Sequence, residues 1–204
     1  MLLCIAFAAR VCFNESLIIA SRREAVMQQI PNVRDSAPDV VGIGLCGLLF
    51  RRSFDRDISP SNIVTSNGTG FLLDYHVACA MADCASPEAR VTGKAWYQAL
   101  RLSTEGHSVS TDLESLFYSI IDMSSDGHAV GWKHASDENE LLQKKFFAMM
   151  HRPTWEKVLG RCGQGERPSI RRLHDLFFEL ANGGMYQYSN TSVTAAAFIN
   201  ACTV

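Results

Sequence analysis

The chain has 204 residues, is 47% hydrophobic and 20% charged, and carries a formal net charge of -2. That length suits one domain or two small ones with a buried core, and the apolar share excludes a disordered chain. The near-neutral charge without a basic patch excludes an electrostatic nucleic-acid binder; seven cysteines with no C-x-x-C pair or matching histidine spacing exclude the common zinc sites and read as reduced thiols of an intracellular, cytoplasmic or nuclear protein.

Residues 1–13 are apolar, but they lack a basic leader, contain Arg10 and are too short to cross a bilayer. A buried strand or helix is expected there in preference to a cleaved signal, and no membrane span is expected. Gly42-Ile43-Gly44-Leu45-Cys46-Gly47 matches G-x-G-x-x-G without the strand, helix and following acid of a dinucleotide fold. An apolar helix over 40–50, its glycines allowing close approach, is the reading carried forward.

Residues 55–76 read DRDISPSNIVTSNGTGFLLDYH. Ile58, Ile63 and Val64 lead into Asn67-Gly68, and Phe71-Leu72-Leu73 follow; Asn-Gly between two apolar runs signals a hairpin because both residues tolerate positive φ. The hairpin is expected to bring Asn62 and Asp74 to one end. The stretch resembles the protein kinase catalytic loop H-R-D-x-x-x-x-N, with Asp57 and Asn62 at the spacing of the Asp and Asn, and Asp74-Tyr75-His76 standing for D-F-G. The resemblance implies that Asp57 takes the proton of the substrate hydroxyl, and that Asn62 and Asp74 hold Mg2+ and with it ATP. Arg56 and Ser59 complete the implied catalytic loop. Arg56 either binds a phosphorylated Ser86 or Thr92 or pairs with Asp112 or a loop carbonyl. Ser59 stands where most protein kinases carry lysine.

Two later strings narrow the resemblance. Val91 to Arg101 reads VTGKAWYQALR, and Asp112 to Tyr118 reads DLESLFY. With RDISPSNI, the second string resembles the fungal-type protein kinase family over residues 42–180, whose members carry HRDIS-x-x-NI, T-G-T-x-x-F-M-A-x-E and DLES-L-Y. Lys94 departs from the family's Thr, and Arg101 stands where the A-P-E glutamate would fall. On that alignment, Arg101→Glu is expected to raise the melting temperature. Asp112 either anchors backbone N–H groups of the catalytic loop, as the resemblance implies, or complements the dipole of its helix.

Independently of any family, 111–123 reads as a helix with Thr111 as N-cap, Glu114 completing a capping box, and Leu113, Leu116, Phe117, Ile120 and Ile121 on one face. Ser136 or Asp137 is expected to cap a second helix with Leu142, Phe146, Met149 and Met150 facing the core, and a third is expected over 169–181, with Ile170, Leu173, Phe177 and Leu180 inward and Gly183-Gly184 ending it. The histidines share no metal spacing.

The resulting expectation is a mainly α fold with a small β-hairpin, a protein kinase-like C-terminal (large) lobe lacking most of the N-terminal lobe. Its parts are an atypical leader over 1–38, the large lobe over 39–182 and a tail over 183–204. The first lysine in the sequence is Lys94, so no strand lysine precedes the loop to grip nucleotide phosphates. Three functions follow: a Ser/Thr kinase-like phosphotransferase using ATP and Mg2+ with weak or absent turnover, a non-catalytic pseudokinase that binds a partner, and a small-molecule phosphotransferase. The protein substrate or regulatory partner is unknown, and neither nucleic acid nor a membrane span is expected.

Overall fold

Ser108 caps the longest helix among the described residues. Its hydroxyl accepts the Thr111 N–H at 3.1 Å while Thr111 Oγ1 accepts the Ser108 N–H at 2.8 Å, so two donors left over at a helix N-terminus satisfy each other reciprocally. The computed structural model describes residues 53–54, 56–66, 69–72, 79–80, 93–102, 106–180, 186–188 and 195–202. The expected apolar element over 1–13, the expected helix over 40–50 and Asp74 lie outside them.

The described residues are mostly helical. The helices are α1 (Val109–Ser124), α2 (Glu138–Met150), α3 (Arg152–Arg161), α4 (Arg167–Phe177) and α5 (Ala195–Cys202), with short 3-10 turns at Pro60–Asn62 and Gly131–His134. Three antiparallel strand pairs accompany them: β1 (Ser53–Phe54) with β4 (Cys79–Ala80), β2 (Ile63–Ser66) with β3 (Thr69–Leu72), and β5 (Phe178–Leu180) with β6 (Tyr186–Tyr188). No helix among the described residues is long and apolar enough to cross a membrane.

Helix α1 is buried along nearly its whole length and forms the centre of the core. Leu113, Leu116, Phe117, Ile120 and Ile121 all face inward, as their spacing predicts. Phe117 stacks on Phe177 of α4 at 5.6 Å and meets Trp155 of α3 at 6.1 Å. Each such side chain contributes about 1.5–3 kcal/mol through removal from water, so this aromatic cluster is a main source of stability. The helix begins three residues earlier than its sequence suggests, at Ser108 and not Thr111. Glu114 is therefore no capping residue; it is fully buried and accepts the Leu100 N–H at 2.9 Å and the Tyr118 O–H at 2.6 Å.

Helix α2 is capped by Asp137, which accepts the Glu140 N–H at 2.8 Å. Its buried face is Leu141, Lys145, Ala148, Met149 and Met150. The expected stripe is thus rotated by about one residue: Leu142 is half-buried and Phe146 is 50% exposed, while Lys145 takes the inward position. An apolar stripe read from sequence assigns a lysine to solvent, and here a hydrogen-bonded lysine overrides that assignment.

The start of α3 carries Pro153 and that of α4 carries Pro168, where the missing N–H costs nothing. Arg171 and Glu156 tie the two helices in a bidentate pair at 2.7 and 2.9 Å. His174 is fully buried, stacked on Trp155 at 3.9 Å and on Phe178 at 4.9 Å, and its Nε2 donates to the Met149 carbonyl at 2.8 Å. Cys162 is a free, buried thiol, and burial pushes it up to about 11.

Helix α4 stops at Phe177, four residues before its expected end, because Phe178 turns the chain into β5. The expected end at Gly183-Gly184 is therefore not where this helix stops; both glycines lie outside the described residues. Residues 195–202 close back on the same core: α5 packs on α4, and its buried Phe198 meets Phe177 edge-on at 6.4 Å.

Candidate active site

The loop that carries Asp57 is shaped by an unusual backbone. Arg56 has φ 74°, in the left-handed region that non-glycine residues seldom occupy. Ile58 then points into the core, and the turn at Pro60–Asn62 leads directly into β2. Ser59 is fully buried, its Oγ 3.0 Å from Ser61 Oγ, so the loop is fastened from below by an apolar side chain and a hydroxyl pair. The Pro60–Asn62 turn itself rests on α1, whose buried Asp112 lies near that helix's start.

Asn62 closes the loop. Its Nδ2 donates to the Asp57 carbonyl at 2.9 Å and to Asp57 Oδ2 at 3.2 Å, which spends both amide protons on one residue. Asn62 Oδ1 is left as the acceptor facing away from Asp57, and Ser61 Oγ donates to it at 3.3 Å. The five-residue spacing thus produces a direct contact between the carboxylate and the amide.

The other carboxylate oxygen is held from far along the chain. The Lys94 backbone N–H donates to Asp57 Oδ1 at 3.2 Å, and the Lys94 ammonium donates to Ser61 Oγ. Gly93 permits this approach. It has φ +89°, and a Cβ there would lie 2.6 Å from the Arg56 carbonyl oxygen and 3.0 Å from Asp57 Oδ1. Both constraints exclude a side chain, so Gly93→Ala is expected to destabilise the chain by about 1–3 kcal/mol. Urea denaturation of the purified variant measures this; an unchanged midpoint would show that 93–94 does not dock on 56–57.

Segment 93–102 is fixed by side chains of the helical core. Tyr97 Oη donates to Asp122 Oδ2 at 2.7 Å, Lys133 pairs with the same oxygen at 2.6 Å, and Trp132 Nε1 donates to the Trp96 carbonyl at 2.9 Å. Glu114 takes the Leu100 N–H, as described above, and Lys145 donates to the Gln98 carbonyl. Four core side chains therefore place Lys94 against Asp57.

Of the sequence-derived candidates, Asp57, Asn62 and Ser59 lie in one loop with Arg56 at its entrance. Asp74 lies outside the described residues. Gly93 and Ser61 do not stand out in the sequence, and Lys94 does so only as a departure from the family pattern. Their signal was a glycine and a serine in polar segments, with nothing local to say that they meet.

Residues 44–123 match the family model described as fungal protein kinase, a stretch that runs from before the Asp57 loop to the end of α1. The match includes both strings that carry the resemblance, RDISPSNI and DLESLFY. No curated protein shows significant similarity to the chain.

Proposed function

We propose that this chain is a protein kinase-like large lobe whose Asp57 loop serves phosphoryl transfer from Mg-ATP to a serine or threonine hydroxyl. The observation that carries the reading is the double restraint on Asp57, by Asn62 Nδ2 on one oxygen and the Lys94 N–H on the other. Carboxylates held for structure are commonly tied down inside the core; this one is half-buried and restrained at both oxygens. A positioned carboxylate of that kind can orient a hydroxyl and take its proton.

The residues present fit a hard cation. Asn62 Oδ1 is presented by an amide whose protons are already spent, and Mg2+ takes oxygen ligands from one or two side chains together with substrate phosphates and water. Asn62 and, by its motif position, Asp74 would hold the ion. Bound Mg-ATP would supply the phosphoryl group and neutralise charge developing on it. Asp57 would receive the hydroxyl proton at whichever carboxylate lone pair faces the acceptor. Arg56 and Ser59 shape the loop around it, and the start of α1, where Asp112 is buried, would support it.

Titration of the full chain with Mg-ATP, alongside Asn62→Ala, tests this. Weak magnesium-dependent binding that the variant loses is expected, together with slow radiometric transfer that Asp57→Asn lowers about 10²-fold or more. Transfer indifferent to Asp57→Asn, or nucleotide binding indifferent to magnesium, would remove the proposal. Binding without any transfer would favour the non-catalytic, partner-binding alternative.

A further inference from the structure

Lys94 grips the Asp57 loop with both ends. Its backbone N–H holds Asp57 Oδ1, while its ammonium crosses 33 positions of sequence to reach Ser61 Oγ. Ser61 stands in the middle of the loop, bonded to Ser59 on one side and to Asn62 Oδ1 on the other. The ammonium therefore sits one hydroxyl away from the amide oxygen that would face a metal. Both Lys94 and Ser61 are exposed.

An exposed lysine gains little from a single serine hydroxyl, because the hydroxyl competes with water and holding four side-chain torsions costs conformational entropy. Stability does not explain the arrangement. The position does have an electrostatic logic: the carboxylate, the amide oxygen and the two hydroxyls bring no positive charge to meet an anion, and the Lys94 ammonium sets one beside them. A lysine ammonium is a compact charge with three donors, of which Ser61 occupies one. It can leave a hydroxyl for a phosphate oxygen at small cost, since a charge-assisted bond to phosphate is the stronger of the two.

We propose that Lys94 is the phosphate-binding cation of this site, parked on Ser61 and transferring its donors to a phosphate oxygen of a nucleotide bound beside Asn62. This rests on the phosphotransferase reading above and adds to it a residue at which the chain departs from the family pattern. The backbone N–H of the same residue keeps Asp57 in place meanwhile, so one position couples the carboxylate to the charge that would anchor the phosphate.

Equilibrium titration with Mg-ATP and Mg-ADP compares the full wild-type chain with Lys94→Met, Lys94→Arg and Asn62→Ala. Lys94→Met is expected to weaken Mg-ATP binding about 10- to 100-fold, with Lys94→Arg recovering much of it, because the backbone N–H to Asp57 is kept in both. A mass-spectrometric footprint gives a readout independent of any variant: Mg-ATP should protect Lys94 of the wild-type chain from amine acylation, and adenosine should not. If Asn62→Ala loses binding while Lys94→Met matches wild type and Lys94 stays reactive, the Lys94 proposal is overturned and the phosphotransferase reading stands. If wild type itself neither binds Mg-ATP nor shows protection, both are overturned.

Discussion

Arg101→Glu is expected to destabilise the chain by about 3–5 kcal/mol, the range for leaving a buried charge uncompensated. Arg101 is buried, 8% exposed, at the end of segment 93–102, and the carboxylate it acts upon is Glu114 of α1, which is fully buried. Burial raises the Glu114 carboxyl, while the Tyr118 hydroxyl, the Leu100 N–H, Lys145 and Arg101 all favour its charged form. A glutamate at 101 would replace one of those cations with a second carboxylate in the same enclosure. The opposite expectation, that this change restores a lost ion pair and raises the melting temperature, follows from family alignment alone; the favourable action of the Arg101 charge on the buried Glu114 carboxylate argues for the reverse sign. Urea denaturation checks the sign, with Arg101→Met as the charge-removing control of intermediate effect. A neutral or stabilising Arg101→Glu would mean that Glu114 does not depend on Arg101.

Stability is also expected to rise with pH from about 7 toward 10.5, and Lys145→Met is expected to flatten that rise. Lys145 is fully enclosed between α2 and segment 93–102, with its ammonium 4.1 Å from the Tyr118 ring centroid and donating to the Gln98 carbonyl. Burial pushes it down from 10.5 to about 7, against the pull of Glu114. Below pH 7 both folded and unfolded chains hold the proton, and the folded state bears the full cost of the buried cation. Between about 7 and 10.5 the unfolded chain holds a proton that the folded chain has released, so stability increases by up to roughly 1.4 kcal/mol per pH unit. Glu114 has the reverse sign: burial raises it above 4.5, its contribution is complete below that value, and it is lost as pH climbs through the folded value. Denaturation midpoints at pH 7, 8 and 9 for wild type and Lys145→Met test this. Parallel profiles would show that Lys145 stays charged when folded.

These two residues show where reading by pattern ends. Helix α2 was legible as a helix because its cap and its periodicity are local properties, yet its buried face was misassigned between Leu141 and Leu142 and between Lys145 and Phe146. Periodicity places apolar residues inward by default. It has no means of knowing that a carbonyl at Gln98 and an aromatic face at Tyr118 wait for an ammonium. Helix α4 illustrates the same limit at an end: nothing near Phe177 announces a break, and only pairing with Tyr186–Tyr188 makes extended backbone at Phe178 favourable.

The candidate site divides along the same line. Asp57, Asn62 and the runs flanking Asn67-Gly68 are close in sequence, and their chemistry depends on residue type and short spacing, which the amino-acid order alone determines. So does the apolar face of α1, since its packing demand is repeated every turn. The docking of Gly93 and Lys94 on Asp57, the inward turn of Glu114 and the sharing of that carboxylate by Arg101 and Lys145 were decided only by tertiary structure. Each joins residues on different elements, and whether a charge is solvated or buried depends on what the rest of the chain brings against it.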